Sequence, residues 1–163
     1  MDRKLLAWGL RQRAALPSLW LFTDSLRLPD PVAAATRLPR GRAGIVFRHD
    51  DAPGRAGLGK ILARICRDRR LILVVAGDPR LAARLHTGVH LRGGRWPGPL
   101  RPKGLVTSSA HSVRELRRAR RAGAALTFLS PAFRTQSHPG ASGLEPYRWG
   151  LTARQSGCGQ AIA

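Results

Sequence analysis

The chain has 163 residues with 29 lysines and arginines against nine acids, a formal charge of +20 and a sequence pI near 12.0. That length can bury the core of one domain, and no stretch supplies the roughly 18 apolar residues of a membrane span. Two cysteines, Cys66 and Cys158, make no disulfide framework, and no His-Glu-x-x-His or clustered Cys/His spacing exists to hold zinc.

Read in chain order, residues 1–18 form a basic amphipathic segment, expected as a helix ahead of a domain spanning 19–163. The segment lacks the continuous apolar run and small-residue cleavage site of a secretory signal, so the cytoplasm is the expected location. Leu19-Trp20-Leu21-Phe22 reads as the first strand. Asp30-Pro31 then supplies an N-cap and an N1 proline for a helix through Val32, Ala35 and Leu38. Gly44 to Phe47 is the second strand, followed after Pro53-Gly54 by a helix that includes Leu58, Ile61, Leu62 and Ile65. Leu71 to Val75 is the third, with Asp78-Pro79 opening a helix through Leu81 and Leu85, and Gly88-Val89-His90-Leu91 is the fourth.

Leu105 to Ser108 is the fifth strand, and Ser112-Val113-Arg114-Glu115 matches a capping box, in which serine and glutamate satisfy each other's orphan amides. The helix that starts there turns Val113, Leu116 and Ala119 inward and Arg114, Arg117, Arg118 and Arg121 outward, and ends at Gly123 in a left-handed cap. Ala124 to Leu129 is apolar without alternation, the pattern of a strand buried on both faces. Such alternation of strand and helix specifies an α/β fold with a parallel sheet, and short strands in uninterrupted series favour a TIM-barrel-like (β/α)8 closure. A full barrel typically takes about 200 residues or more. The expectation is therefore an incomplete barrel of about six strands, with the last two β/α units missing and a seventh strand beginning at Ala161-Ile162-Ala163. Unpaired edges on such a sheet predict association into a homo-oligomer.

The loop after the sixth strand, Ser130-Pro131-Ala132-Phe133-Arg134-Thr135-Gln136-Ser137-His138, is rich in small hydroxyl residues. In an extended loop Thr135 and Ser137 point to one side, and both hydroxyls can donate to a phosphate oxygen. This loop with Gly143-Leu144 beyond it, the Ser109-x-His111-Ser112 turn, the Gly88-Val89-His90-Leu91 strand and Phe47-Arg48 together resemble the thiamine phosphate synthase/TenI family from about Leu19 to Leu144.

The resemblance implies a TIM barrel with its site at the carboxyl ends of the strands. Synthases of this kind join a pyrimidine methyl diphosphate to a thiazole phosphate with loss of pyrophosphate, using Mg²⁺, and TenI relatives aromatise the thiazole. By similarity, Thr135 and Ser137 would hold the thiazole phosphate, with Gly143 beside the substrate, while Arg48 and Ser109 would touch the pyrimidine diphosphate. His138 stands where the synthase has a lysine, and it and His111 are the candidate catalytic groups.

The chain also departs from that pattern. Where strand two of the synthase reads Gln-Leu-Arg-Glu-Lys, this chain has Val46-Phe47-Arg48-His49-Asp50, and only the arginine matches. After strand three, Asn-Asp-Arg is replaced by Val75-Ala76-Gly77 with Asp78 one step beyond, and after strand four Arg92-Gly93-Gly94-Arg95 contains no acid. Mg²⁺ is bound through one or two carboxylates with phosphates and water. It is the cofactor the resemblance implies, but the usual acidic ligands are absent; Asp50, Asp51 and Asp78 would serve only in a rearranged geometry.

Blander readings stand beside these. Asp50-Asp51 is a metal carboxylate pair or a turn before Ala52-Pro53-Gly54. His90 in a buried strand reads as a hydrogen-bonded core residue, and His86 near a helix end as structural or exposed. Gly93-Gly94 is a weak phosphate-loop signal, and Trp96-Pro97 reads as packing across the loop. The arginine excess suits polyanions in general. No recognition motif accompanies it, which argues against nucleic acid as the partner. Three functions follow: a thiamine-biosynthesis barrel, a catalytically degenerate relative that binds a phosphorylated heterocycle, or a basic polyanion binder.

Overall fold

A computed structural model describes residues 16–131 and 146–155 and the backbone of 161–162. The strands are β1 (Leu19–Phe22), β2 (Ala43–Phe47), β3 (Ile72–Ala76), β4 (Gly88–Leu91), β5 (Val106–Ala110), β6 (Leu126–Leu129) and β7 (Ala161–Ile162). Between them run α1 (Pro31–Arg37), α2 (Arg55–Arg69), α3 (Pro79–Leu85), α4 (Val113–Arg121) and α5 (Pro146–Gln155). Every strand pairs parallel with its neighbours in chain order, from β1 to β7. Parallel neighbours need crossovers, and the helices between them cover one face of the sheet.

Strand periodicity separates two cores. Ile45, Phe47, Leu73, Val75, Val89 and Leu91 join Ala35, Leu62, Ala63, Cys66, Leu81 and Leu85 of the helices in one cluster. Val46, Val74, Ala76, Leu126 and Phe128 point the other way and gather Trp20 and Phe22 into a second. The second cluster reports how far the sheet curls. Four strands lie between β1 and β6, yet the Phe128 ring meets Trp20 at 5.4 Å and Phe22 at 4.8 Å, both edge to face. The architecture is thus an incomplete, TIM-barrel-like α/β sheet whose concave side is filled by aromatic rings. Gly44 permits it, because a Cβ there would run into the Trp20 ring.

The helix starts follow the sequence. Asp30 and Asp78 accept from the amides of Ala33 at 2.8 Å and Leu81 at 2.9 Å, each ahead of a proline. Ser112 caps α4 through the Glu115 amide at 3.3 Å, while the Glu115 carboxylate reaches one residue further back, accepting from the His111 amide at 2.7 Å. At the other end Ala124 N donates to Ala119 O and Gly123 N to Arg120 O, with Gly123 at φ +83°, which is a Schellman closure.

Two features differ from expectation. Helix α5 occupies a stretch to which the sequence reading assigns no element; Trp149 and Ala153, one turn apart, pack on Ala110, Leu116 and Leu129 and outweigh the helix-weakening Gly150. Strands β3 and β5 begin one residue later than read and β6 two, since Leu71, Leu105 and Ala124 lead into them. The expected helix within residues 1–18 lies outside the described residues apart from its last three positions, and Cys158 also lies outside them. No helix among the described residues is long and apolar enough to cross a membrane.

Candidate functional site

Because all strands run the same way, their carboxyl ends share one rim, and a cleft of about 860 Å³ opens there. Strands β1, β2, β4, β5 and β6 each contribute to it. Phe22, His90 and Phe128 form an aromatic floor, with His90 lying 5.8 Å from Phe22 and 5.7 Å from Phe128 by ring centroids. Arg27, Arg48, Arg92 and Arg95 stand around it, all exposed, together with Ser109, His111 and Ser130. Of the residues named from sequence, Arg48, Ser109 and His111 therefore come together in one cleft, although 63 positions in the chain separate the first from the last. Thr135, Ser137, His138 and Gly143 lie outside the described residues.

Hydrogen bonds within and between the strand-end loops position several of these groups. Thr23, fully buried just past β1, accepts from the Arg48 amide at 2.9 Å and bonds His49 Nδ1 at 2.9 Å. It ties the end of β2 to the end of β1. Asp24 accepts from the amides of Leu26 at 3.0 Å and Arg27 at 3.1 Å. The Arg27 and Leu26 amide bonds hold its carboxyl below the ordinary aspartate value. His111 Nδ1 lies 2.8 Å from the Ser130 carbonyl. A carbonyl oxygen only accepts, so this bond assigns the proton of the neutral ring to Nδ1 and the basic lone pair to Nε2.

His90 is both core residue and cleft floor. It is 2 % exposed and bonds Thr107 Oγ1 at 2.9 Å. Burial first, then the nearby charges of Arg48 and Arg92, push its pKa down from 6.5 to about 3, so the ring is neutral at physiological pH.

Gly94 is a packing residue, while Gly93 lines the cleft. A Cβ on Gly94 would strike the backbone of Arg118 and Ala119, and its amide already donates to Ser108 Oγ at 2.9 Å. Trp96 is likewise a packing residue, half-buried against the outer core with Arg101 stacked 4.4 Å over its ring.

Arg55 escaped the sequence reading. A cation at the first position of a helix opposes the helix dipole; here Nη2 meets Asp50 Oδ1 at 3.2 Å and the Ala76 carbonyl at 2.7 Å, and Nη1 meets Asp78 Oδ2 at 3.3 Å. The guanidinium also lies 5.5 Å over the Phe47 ring. The other oxygen of Asp50 pairs with Arg92. Asp50 thus sits in a turn as an ion-pair partner, and Asp51 is exposed beside it.

A profile of the family described as thiamine monophosphate synthase (TMP-TENI) matches residues 30–156, most of the chain. The chain belongs to the thiamine monophosphate synthase family. Among solved structures it is similar to a thiamine phosphate pyrophosphorylase from Pyrococcus furiosus, with a TM-score of 0.62 and 20% identity over 91% of this chain and 85% of that one. At that identity the likeness establishes the barrel-type fold. Family membership assigns the chain a thiamine phosphate synthase-like role in thiamine biosynthesis.

The Mg²⁺ implied by the thiamine monophosphate synthase family does not fit the described donors of this cleft. Asp50 and Asp78, the acids nearest the expected positions, are bridged by Arg55, and Arg92 stands after β4. No group of three or more metal-ligating side chains occurs among the described residues. A divalent cation would have to displace a guanidinium from each carboxylate, exchanging one positive charge for another at the cost of a half-buried ion pair.

Proposed function

We propose that this cleft binds a phosphorylated aromatic heterocycle, with the substrates of thiamine phosphate synthesis, a thiazole phosphate and a pyrimidine methyl diphosphate, as its ligands. The observation that carries this is the pairing of an aromatic floor, Phe22, His90 and Phe128, with a rim of guanidinium and hydroxyl groups. Rings stack or meet edge to face on the floor, and phosphate oxygens take the charged donors above. In the joining reaction the thiazole nitrogen forms a C–N bond to the pyrimidine methylene while its C–O bond to pyrophosphate breaks. Arg48 and Ser109 would hold the departing diphosphate, and Thr135 and Ser137 the thiazole phosphate, with Gly143 beside it. His111, with its basic nitrogen at Nε2, and His138 would manage protons.

A non-catalytic binder of the same ligands is the second reading. It is favoured by the engagement of Asp50 and Asp78 with Arg55. Calorimetry with thiazole phosphate tests the binding shared by both. Thr135→Ala with Ser137→Ala should weaken it by about 1–3 kcal/mol, or roughly five- to hundredfold in Kd. Unchanged affinity removes that loop from the site. A coupled assay for thiamine phosphate then divides enzyme from binder.

A further inference from the structure

The acids around the cleft are already committed, and its cations exceed them. Asp24 is turned onto the amides of Leu26 and Arg27, and Glu115 onto the amide of His111. Asp50 is shared by Arg55 and Arg92. Among the described residues, Arg48 and Arg95 have no carboxylate within ion-pair distance.

We infer that the cleft takes a diphosphate directly on the guanidinium groups of Arg48, Arg92 and Arg95, with no divalent cation between ligand and protein. This rests on the phosphorylated-ligand reading above and adds how the ligand's charge is neutralised. A diphosphate needs positive charge at its oxygens, and proteins supply it either as a metal held by carboxylates or as guanidinium forks. The first route is obstructed here by Arg55, which spans the two acids that would carry the metal. The second is present: a guanidinium stays charged at any working pH and matches two phosphate oxygens at once. Two strand ends bring these residues to one cleft, with Arg48 after β2 and Arg92 after β4, and the Arg95 amide donates to the Arg92 carbonyl at 3.0 Å. Neither Arg48 nor Arg92 is walled in by protein, so the ligand needs no rearrangement to reach them.

The test is calorimetry of the full chain with inorganic pyrophosphate, once in EDTA and once with excess Mg²⁺. Binding in EDTA at least as tight as with Mg²⁺ is expected, and Arg48→Ala or Arg95→Ala should weaken it about tenfold or more. Thermal unfolding of these two exposed-site variants checks that they remain folded. Arg117→Ala with Arg121→Ala, on the outer face of α4, controls for the overall charge and should leave pyrophosphate affinity within about twofold. Binding that appears only with Mg²⁺ overturns the inference and leaves the phosphorylated-ligand reading standing. Equal losses in the cleft and α4 variants would overturn it as well, by making the effect one of net charge. Absence of binding under both conditions would remove the inference together with the reading beneath it.

Discussion

Acidification should destabilise this protein through His90. The folded state holds the ring neutral with a pKa of about 3, against the 6.5 of a solvated histidine. A folded-state value below the unfolded one means that the unfolded chain binds the extra proton. The stabilisation is therefore complete above about pH 6.5 and is lost as pH falls from there toward 3. Between about pH 7.5 and about pH 4.5 the linkage removes roughly 2.5 kcal/mol, at about 1.4 kcal/mol for each pH unit below the unfolded pKa. The window excludes Asp24, whose carboxyl is held below 3.8 and contributes its loss only at lower pH. Urea denaturation at the two pH values measures the change, with His90→Gln as the reference, since an amide can still meet the Thr107 hydroxyl but does not titrate. The wild type should lose about 2.5 kcal/mol more than the variant over this window. If both lose the same within about 0.5 kcal/mol, the burial argument for His90 is wrong.

Arg55→Met should destabilise the fold by about 2–4 kcal/mol, because it leaves two half-buried carboxylates and the Ala76 carbonyl without their shared donor; chemical denaturation at neutral pH reads this directly. Restoring one partner's balance with Asp78→Asn in that background should recover part of the loss, and strictly additive effects would show that the two residues are not coupled. Gly94→Ala should cost about 2 kcal/mol or more, since the residue sits at φ +70° with the α4 backbone against it. A thermal midpoint unchanged from the wild type would mean that the loop after β4 does not touch α4.

Local chemistry explains why so much of the architecture was readable. Each of Asp30, Asp78 and Ser112 caps a helix with an amide three residues ahead, and Gly123 closes one within a single turn. Those bonds span a few residues and depend on nothing distant. The apolar runs at Leu19, Gly44, Leu71 and Gly88 likewise declare strands by composition, and the order of strand and helix then dictates that their carboxyl ends share a rim. The family resemblance named Arg48 and Ser109, His111 follows a strand end in that order, and the three line one cleft.

What the chain's own pattern determined, then, was the succession of capped helices and strands and the rim that the strands' carboxyl ends share. Tertiary structure decided the rest: the Arg55 bridge across Asp50 and Asp78, the aromatic closure of β1 on β6, the seating of Gly94 against α4, and the double role of His90. Each of these depends on groups from different elements whose distance is set by sheet curvature and crossover packing. Ionisation and ion pairing respond to that distance and to exclusion of water, neither of which a linear order of residues contains.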